Sequence, residues 1–164
     1  MIAKLISGGQ SGVDIAALLV AKSLGIPTGG WMPKGFLTEN GPRPEYATEF
    51  GLRETDSSDY AYRTACNVDE ADAVLILTDR LPVDGGTRFT VNLCKRHKKR
   101  WDLVDLRADN WSLDARLHDV KLALADMLAG DVLMVAGPRE SKSPGIYERA
   151  RAVLLAVLVP EEPT

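Results

Sequence analysis

Residues Leu5 to Asp14 read LISGGQSGVD. The apolar run Ile2 to Ile6 closes on a glycine-rich turn, and from Val13 the stretch VDIAALLVAKSL, Val13 to Leu24, is apolar nearly all round. A short apolar run bounded by glycine predicts a buried strand. A segment apolar on every side predicts a helix pressed against a sheet. Strand, tight turn and buried helix in succession open a βα unit, and the alternation continues down the chain.

Gly25-Ile26-Pro27 ends the first helix, and Thr28 to Trp31 predicts a second, short strand. A helix over Asp59 to Ala71 precedes AVLILT, Ala73 to Thr78, the clearest buried strand in the chain. A helix from Gly85 to about His97 is followed by the strand RWDLVDL, Arg100 to Leu106. Ser112 to Ala129 predicts an amphipathic helix with Leu113, Leu117, Val120, Leu124 and Met127/Leu128 on one face. Ser112 suits its N-cap and Gly130 its end. The last strand is DVLMVAG, Asp131 to Gly137, and the last helix Pro144 to Leu158, with Ser143 at the N-cap and Pro144 in the first turn. Strands alternating with helices imply crossover connections, hence a parallel sheet with helices on both faces in one α/β domain. The expected domain is 1–159, with a polar tail over 160–164. Only GGWMPKGFLTENGPRPEYATEFG, Gly29 to Gly51, has no sustained period. Connections of that length are usually functional, so it is expected to form the wall or lid of a site.

Composition narrows the function classes. The 164 residues are 45% hydrophobic, enough for one core, and the net charge is −3. The basic run KRHKKR, Lys95 to Arg100, falls at a helix end, where cations complement the dipole and face solvent, so nucleic acid is not expected. Cys66 and Cys94 have no second Cys or His at ligand spacing and read as ordinary helix thiols. With no signal peptide, they point to a reducing, cytoplasmic setting. No apolar run reaches the roughly 18 residues of a membrane span. His97 and His118 lie too far apart to suggest a metal site.

In parallel sheets ligands bind outside the carboxyl ends of the strands. Three junctions there are rich in Gly, Ser or Thr: Ser7 to Gly12, Asp84 to Thr87, and Gly137 to Gly145. Glycine lets the backbone approach a ligand, and free N–H groups at a helix start attract anions. Arg139 and Lys142 add charge suited to phosphate. The dinucleotide fingerprint would place Ser7 where its first Gly belongs, and no acidic residue follows the second strand to grip a ribose; NAD is not expected. Gly12 is followed by Val13-Asp14 rather than Lys-Ser/Thr, which disfavours a Mg-dependent NTPase. Asp14, in the first helical turn, suits the dipole. Lys34 stands in the long segment, within reach of an anion. Arg63 and Asn67, four apart, can point at one cleft, although Arg63 can equally pair with Asp59. No Ser–His–Asp set is present.

The stretches ISGGQSGVD, GGWMPKG, DYAYRTACNV, AVLILT, GGT and VAGPRESKSPGIYE resemble the molybdenum carrier family, related to molybdenum cofactor carrier proteins within the lysine-decarboxylase-like, Rossmann-type superfamily. The resemblance spans Ile6 to about Glu148 and is most specific in AGPRESKSPGIYE. It implies a doubly wound Rossmann-like fold, a homo-oligomer (dimer or tetramer), and a site for a phosphorylated pterin such as molybdenum cofactor. The matching positions are Gly8, Gly9, Gln10, Ser11 and Gly12 in the first loop, and Lys34 in the long segment. Arg63 and Asn67 match on the helix, and Gly85, Gly86 and Thr87 in the central loop. Gly137, Pro138, Arg139, Glu140, Ser141 and Lys142 match in the last. A related branch of phosphoribohydrolases has P-G-G-x-G-T-x-x-E with a catalytic Glu. Here Val83 to Thr90 lacks the Pro, the third Gly and that Glu.

The expectation is a non-catalytic binding or carrier protein for an anionic phosphorylated ligand, molybdenum cofactor or a purine nucleotide. The alternatives are a nucleotide-processing hydrolase using Glu140 or Asp84, and a ligand-sensing module.

Overall fold

The computed structural model describes residues 2–126 and 130–159. Strand β1 (Lys4–Ile6) enters helix α1 (Val13–Ser23) through the turn Ser7 to Gly12. The aperiodic segment resolves into short pieces: β2 (Thr28–Gly29), β3 (Trp31–Met32), a hairpin of β4 (Leu37–Thr38) and β5 (Gly41–Pro42), helix α2 (Tyr46–Phe50) and β6 (Arg53–Glu54). Regular alternation then resumes with α3 (Tyr60–Glu70), β7 (Ala73–Thr78), α4 (Gly85–Arg96) and β8 (Arg100–Asp105). A 3-10 turn (Ala108–Asn110), α5 (Leu113–Leu124), β9 (Val132–Ala136) and α6 (Ile146–Leu158) complete the chain.

Five strands form one parallel sheet in the order β2-β1-β9-β7-β8. Leu133 of β9 lies beside Leu5 of β1 on one side and Ala73 of β7 on the other, so the last strand occupies the middle of the sheet. The two-residue period of the strands sorts their side chains between two cores. Leu5, Leu75, Leu77, Leu133 and Val135 pack with α1, α5 and α6, while Ile6, Val74, Ile76, Met134 and Ala136 pack with α3 and α4. All six residues of β7 are buried, as a continuous apolar run covered on both faces requires. The expected doubly wound, Rossmann-like α/β fold is the one observed.

The departures are local. The strand expected over Thr28 to Trp31 divides: β2 joins the main sheet, and β3 pairs instead with β6. Helix α6 begins at Ile146 rather than Pro144, with Gly145 as N-cap. Ser112 is the N-cap residue of α5, although its side chain makes no capping hydrogen bond. The last turn expected of that helix, 127–129, and the tail 160–164 lie outside the described residues. No described helix is long and apolar enough to cross a membrane.

One consequence of the strand order positions everything that follows. β7 and β9 are neighbours, yet the helix after β7 covers one face of the sheet and the helix after β9 covers the other. Neighbouring strands whose connections part in this way leave a crevice at their carboxyl ends. The turn after β1, the next strand along, borders the same crevice.

Candidate ligand-binding site

The crevice holds a cavity of about 240 Å³. Thr78 ends β7 beneath it, and Met134 and Ala136 rise from β9. Tyr60, Arg63 and Thr64 of α3 form one wall, and Gly85, Gly86, Thr87, Phe89 and Thr90 of α4 another. Gln10 and Asp14 border it from the first turn and helix; Gly137, Pro138, Arg139, Lys142 and Ser143 border it from the last loop. Three junctions, the first and last of them more than a hundred residues apart, thus share one cavity.

Helix α4 points its first turn at this space. Asp84 is its N-cap residue, but the carboxylate makes no capping hydrogen bond. It accepts instead from Arg80 Nη1 at 3.2 Å. The first N–H groups of a helix have no partner within it, so an N-terminus without a side-chain cap presents donors and a partial positive charge to the cavity. Arg80 also crosses the crevice to donate to the Lys142 carbonyl at 3.3 Å. The Lys142 ammonium faces the start of α4: a Cβ placed on Gly85 would lie 3.2 Å from Nζ.

The four cations of the lining differ in how they are neutralised. Arg80 pairs with Asp84. Arg63 Nη1 lies 3.6 Å from Asp14 Oδ2, both side chains nearly buried, and Arg63 Nε has no hydrogen-bond partner. Arg139 Nε is 3.9 Å from Glu39. Lys142 has no carboxylate partner among the described residues. Burial pushes the Asp14 carboxyl up from 3.8 to about 6, against the pull of the Arg63 charge and of hydrogen bonds from the Gln10 and Gly8 N–H groups. Burial likewise lowers Arg63 from its ordinary value, with Asp14 opposing it.

The sequence pattern of the circularly permutated YpsA SLOG family matches residues 5–158. The chain belongs to that family. A crystal structure of "Putative molybdenum carrier protein" from Syntrophus aciditrophicus SB superposes with a TM-score of 0.85 at 37% sequence identity, covering 96% of this chain and 95% of that one. No curated protein matches the chain.

Within this YpsA SLOG domain the residues singled out in the sequence separate into two groups. Gln10, Arg63, Gly85, Gly86, Thr87, Gly137, Pro138, Arg139 and Lys142 line the cavity. The others lie outside its lining. Gly8 and Gly9 are buried beneath it, Gly8 against the Arg63 guanidinium and Gly9 against Met32 and Leu52. Asn67 is fully buried, its amide closed on the backbone of Trp31: Oδ1 accepts from the N–H at 2.8 Å and Nδ2 donates to the carbonyl at 3.0 Å. Lys34 is exposed beside the β4–β5 hairpin, with its N–H on the Ser57 carbonyl. Glu140 accepts from the N–H groups of Gly145 at 2.5 Å and Tyr147 at 2.9 Å. A carboxylate at the positive end of α6 thus does the capping that the sequence assigns to Ser143. Ser143 Oγ donates to Asp79 at 2.6 Å, and Arg149 closes that cluster at 3.0 Å. Arg63 pairs with Asp14 rather than Asp59, whose side chain caps α3 through the Ala61 N–H.

One lining residue and one at the cavity's edge had no signal in the sequence as sites. Arg80 stands alone in a polar turn, and only the return of β9 beside β7 gives it Lys142 to contact. Glu39 belongs to the aperiodic segment, none of which lines the cavity, yet its carboxylate reaches Ser11, Ser141 and Arg139 at the cavity's edge. Burial alone would raise the Glu39 carboxyl, but those hydrogen bonds and the Arg139 charge hold it below its ordinary value.

Proposed function

We propose that the protein is a binding or carrier protein for a small anionic, phosphorylated ligand, with molybdenum cofactor or a purine nucleotide as the leading cargo. The observation that supports it is the Lys142 ammonium, without a carboxylate partner among the described residues, set opposite the start of α4, which no side chain caps. An anion there gains a charge-assisted hydrogen bond and the favourable end of a helix dipole. Tyr60 and Phe89, both partly exposed at the same cavity, offer faces to a planar ring attached to the phosphate. The molybdenum carrier name of the Syntrophus neighbour favours a pterin cargo. At about 240 Å³ the cavity takes the phosphate end of such a ligand more readily than the whole. Cys66 and Cys94 are both free, which suits work in a reducing cytoplasm.

A ligand held at a hundred times its Kd stabilises a protein by about 2.7 kcal/mol, so the first test is a thermal shift against phosphorylated pterins and purine nucleotides. Mass spectrometry of small molecules released from the purified protein identifies the cargo directly. Absence of any shift at millimolar concentration refutes the reading.

A hydrolase is the second reading, and Asp14 is the observation that favours it. Its carboxyl, at about 6, borders the cavity in the range where an acid–base group operates. Release of free base from AMP, abolished by Asp14→Asn, would establish catalysis; an intact nucleotide after prolonged incubation leaves the binding reading.

A further inference from the structure

Beside the cavity, a carboxylate of the chain itself sits in a cradle of donors. Glu39, at the turn of the β4–β5 hairpin, accepts from the Ser11 hydroxyl, the Ser141 hydroxyl and the Ser141 N–H, the last at 3.2 Å. Arg139 Nε stands 3.9 Å away. These donors come from the loops that follow β1 and β9. The cradle adjoins the cavity through two shared residues: Arg139 lines both, and Gln10 lines the cavity while its Oε1 accepts from the Glu39 and Ser11 N–H groups.

The cradle does not depend on Glu39 to exist. Its two loops meet at Gly12, where a Cβ would lie 2.5 Å from the Pro138 carbonyl oxygen and 2.8 Å from the Glu140 nitrogen. The Glu140 N–H also donates to Ser11 Oγ at 3.2 Å. The hairpin, for its part, closes on itself, with Thr38 Oγ1 donating to the Gly41 carbonyl and accepting from the Asn40 N–H. Host and guest are each held by their own bonds, and polar contacts made by the turn join them.

We propose that Glu39 is a resident anion: its carboxylate fills a second anionic subsite, and a ligand with two linked anionic groups, a diphosphate, displaces it while its other phosphate sits at Lys142. This rests on the reading of the cavity as an anion site. The chemistry of the donor set is that of phosphate recognition, two hydroxyls, a backbone N–H and a guanidinium. Phosphate and carboxylate compete for the same donors, so the carboxylate sets an affinity threshold that a single phosphate at Lys142 does not meet.

The test is calorimetric titration of inorganic phosphate and inorganic pyrophosphate into the wild type, Glu39→Gln, and Glu39→Gln with Ser141→Ala, at one ionic strength. Glu39→Gln is expected to tighten pyrophosphate at least about ten-fold and by a larger factor than it tightens phosphate, and Ser141→Ala to cancel the gain. Pyrophosphate binding that is unchanged or weakened overturns the proposal and makes Glu39 a strap between loops. Should Glu39→Gln not fold, Glu39→Asp, which withdraws the carboxylate by one methylene, decides in the same direction. Phosphate binding by the wild type without any gain in the variants refutes this inference alone. A gain for pyrophosphate in a protein that ignores phosphate refutes the assignment of Lys142 instead.

Discussion

Replacing Asp14 with asparagine should flatten a pH dependence of stability that the wild type owes to this one residue. Asp14 is 4% exposed, and its carboxyl titrates at about 6 in the folded protein against an ordinary 3.8. The folded state therefore binds the proton more tightly than the unfolded state. Its contribution to stability is fully present below about 3.8, declines as pH rises through the interval, and is lost above about 6. At 1.36 kcal/mol per unit, the interval corresponds to about 3 kcal/mol, or roughly 6–12 °C in Tm for a chain of this size. Asparagine keeps an acceptor for the Gln10 and Gly8 N–H groups but has no proton to lose. The assay is urea denaturation of both proteins at pH 4, 5, 6 and 7, read as the difference between them, so that other titrating groups cancel. Between pH 4 and 7 the wild type should lose roughly 2–2.5 kcal/mol relative to Asp14→Asn, the remainder of the full interval falling below pH 4. A difference that stays constant within about 0.5 kcal/mol refutes the assignment, because it would mean that the Arg63 charge fully offsets the desolvation.

Other perturbations separate ligand contacts from structural ones. Lys142→Ala breaks no ion pair among the described residues, so urea denaturation should show a change within about 0.5 kcal/mol, while calorimetry should show phosphate binding weakened about ten- to a hundred-fold. Gly8→Ala would put a Cβ 1.7 Å from Arg63 Nη1 without a strained φ at Gly8, so it should cost about 1–3 kcal/mol in denaturation and displace the guanidinium from Asp14. Glu140→Ala removes the acceptor for two N–H groups at the start of α6. It should cost about 1–2 kcal/mol in Tm-derived stability and leave phosphate affinity within about two-fold, which sets it apart from a ligand contact.

Much of the fold was legible because each main element obeys one local rule. β7 is a continuous apolar run, α1 is apolar all round, and the alternation of the two permits only a parallel sheet with crossovers. The order of the strands obeys no local rule. Nothing within DVLMVAG says that β9 enters between β1 and β7, and that placement alone creates the crevice and gives Arg80 its contact with Lys142. The start of α6 illustrates the same boundary at smaller scale. Ser143-Pro144 is the stronger local signal, but the N–H groups of Ser143 and Lys142 turn back onto the Arg139 carbonyl, bringing the Glu140 carboxylate over the helix end. Arg63 and Asn67 share a helix face as their spacing predicts, yet one turn of helix separates a residue at the cavity from one buried against Trp31.

The chemistry of the cavity was harder to read than its location, because charge in a sequence does not reveal its own neutralisation. Arg139 and Lys142 look equivalent as phosphate ligands in PRESKS, three residues apart on one loop. The fold makes them unequal. Glu39, from a segment with no periodic pattern, is held beside Arg139 by serines from two other loops, while among the described residues no carboxylate reaches Lys142. Arg63 and Arg80 are likewise matched to Asp14 and Asp84. An arginine already paired adds little net field to a site, since its carboxylate repels the anion that it attracts. On the proposed reading, the attraction for a phosphate therefore concentrates on one ammonium and one helix start. The arginines contribute only as far as a ligand takes over the place of their internal partners.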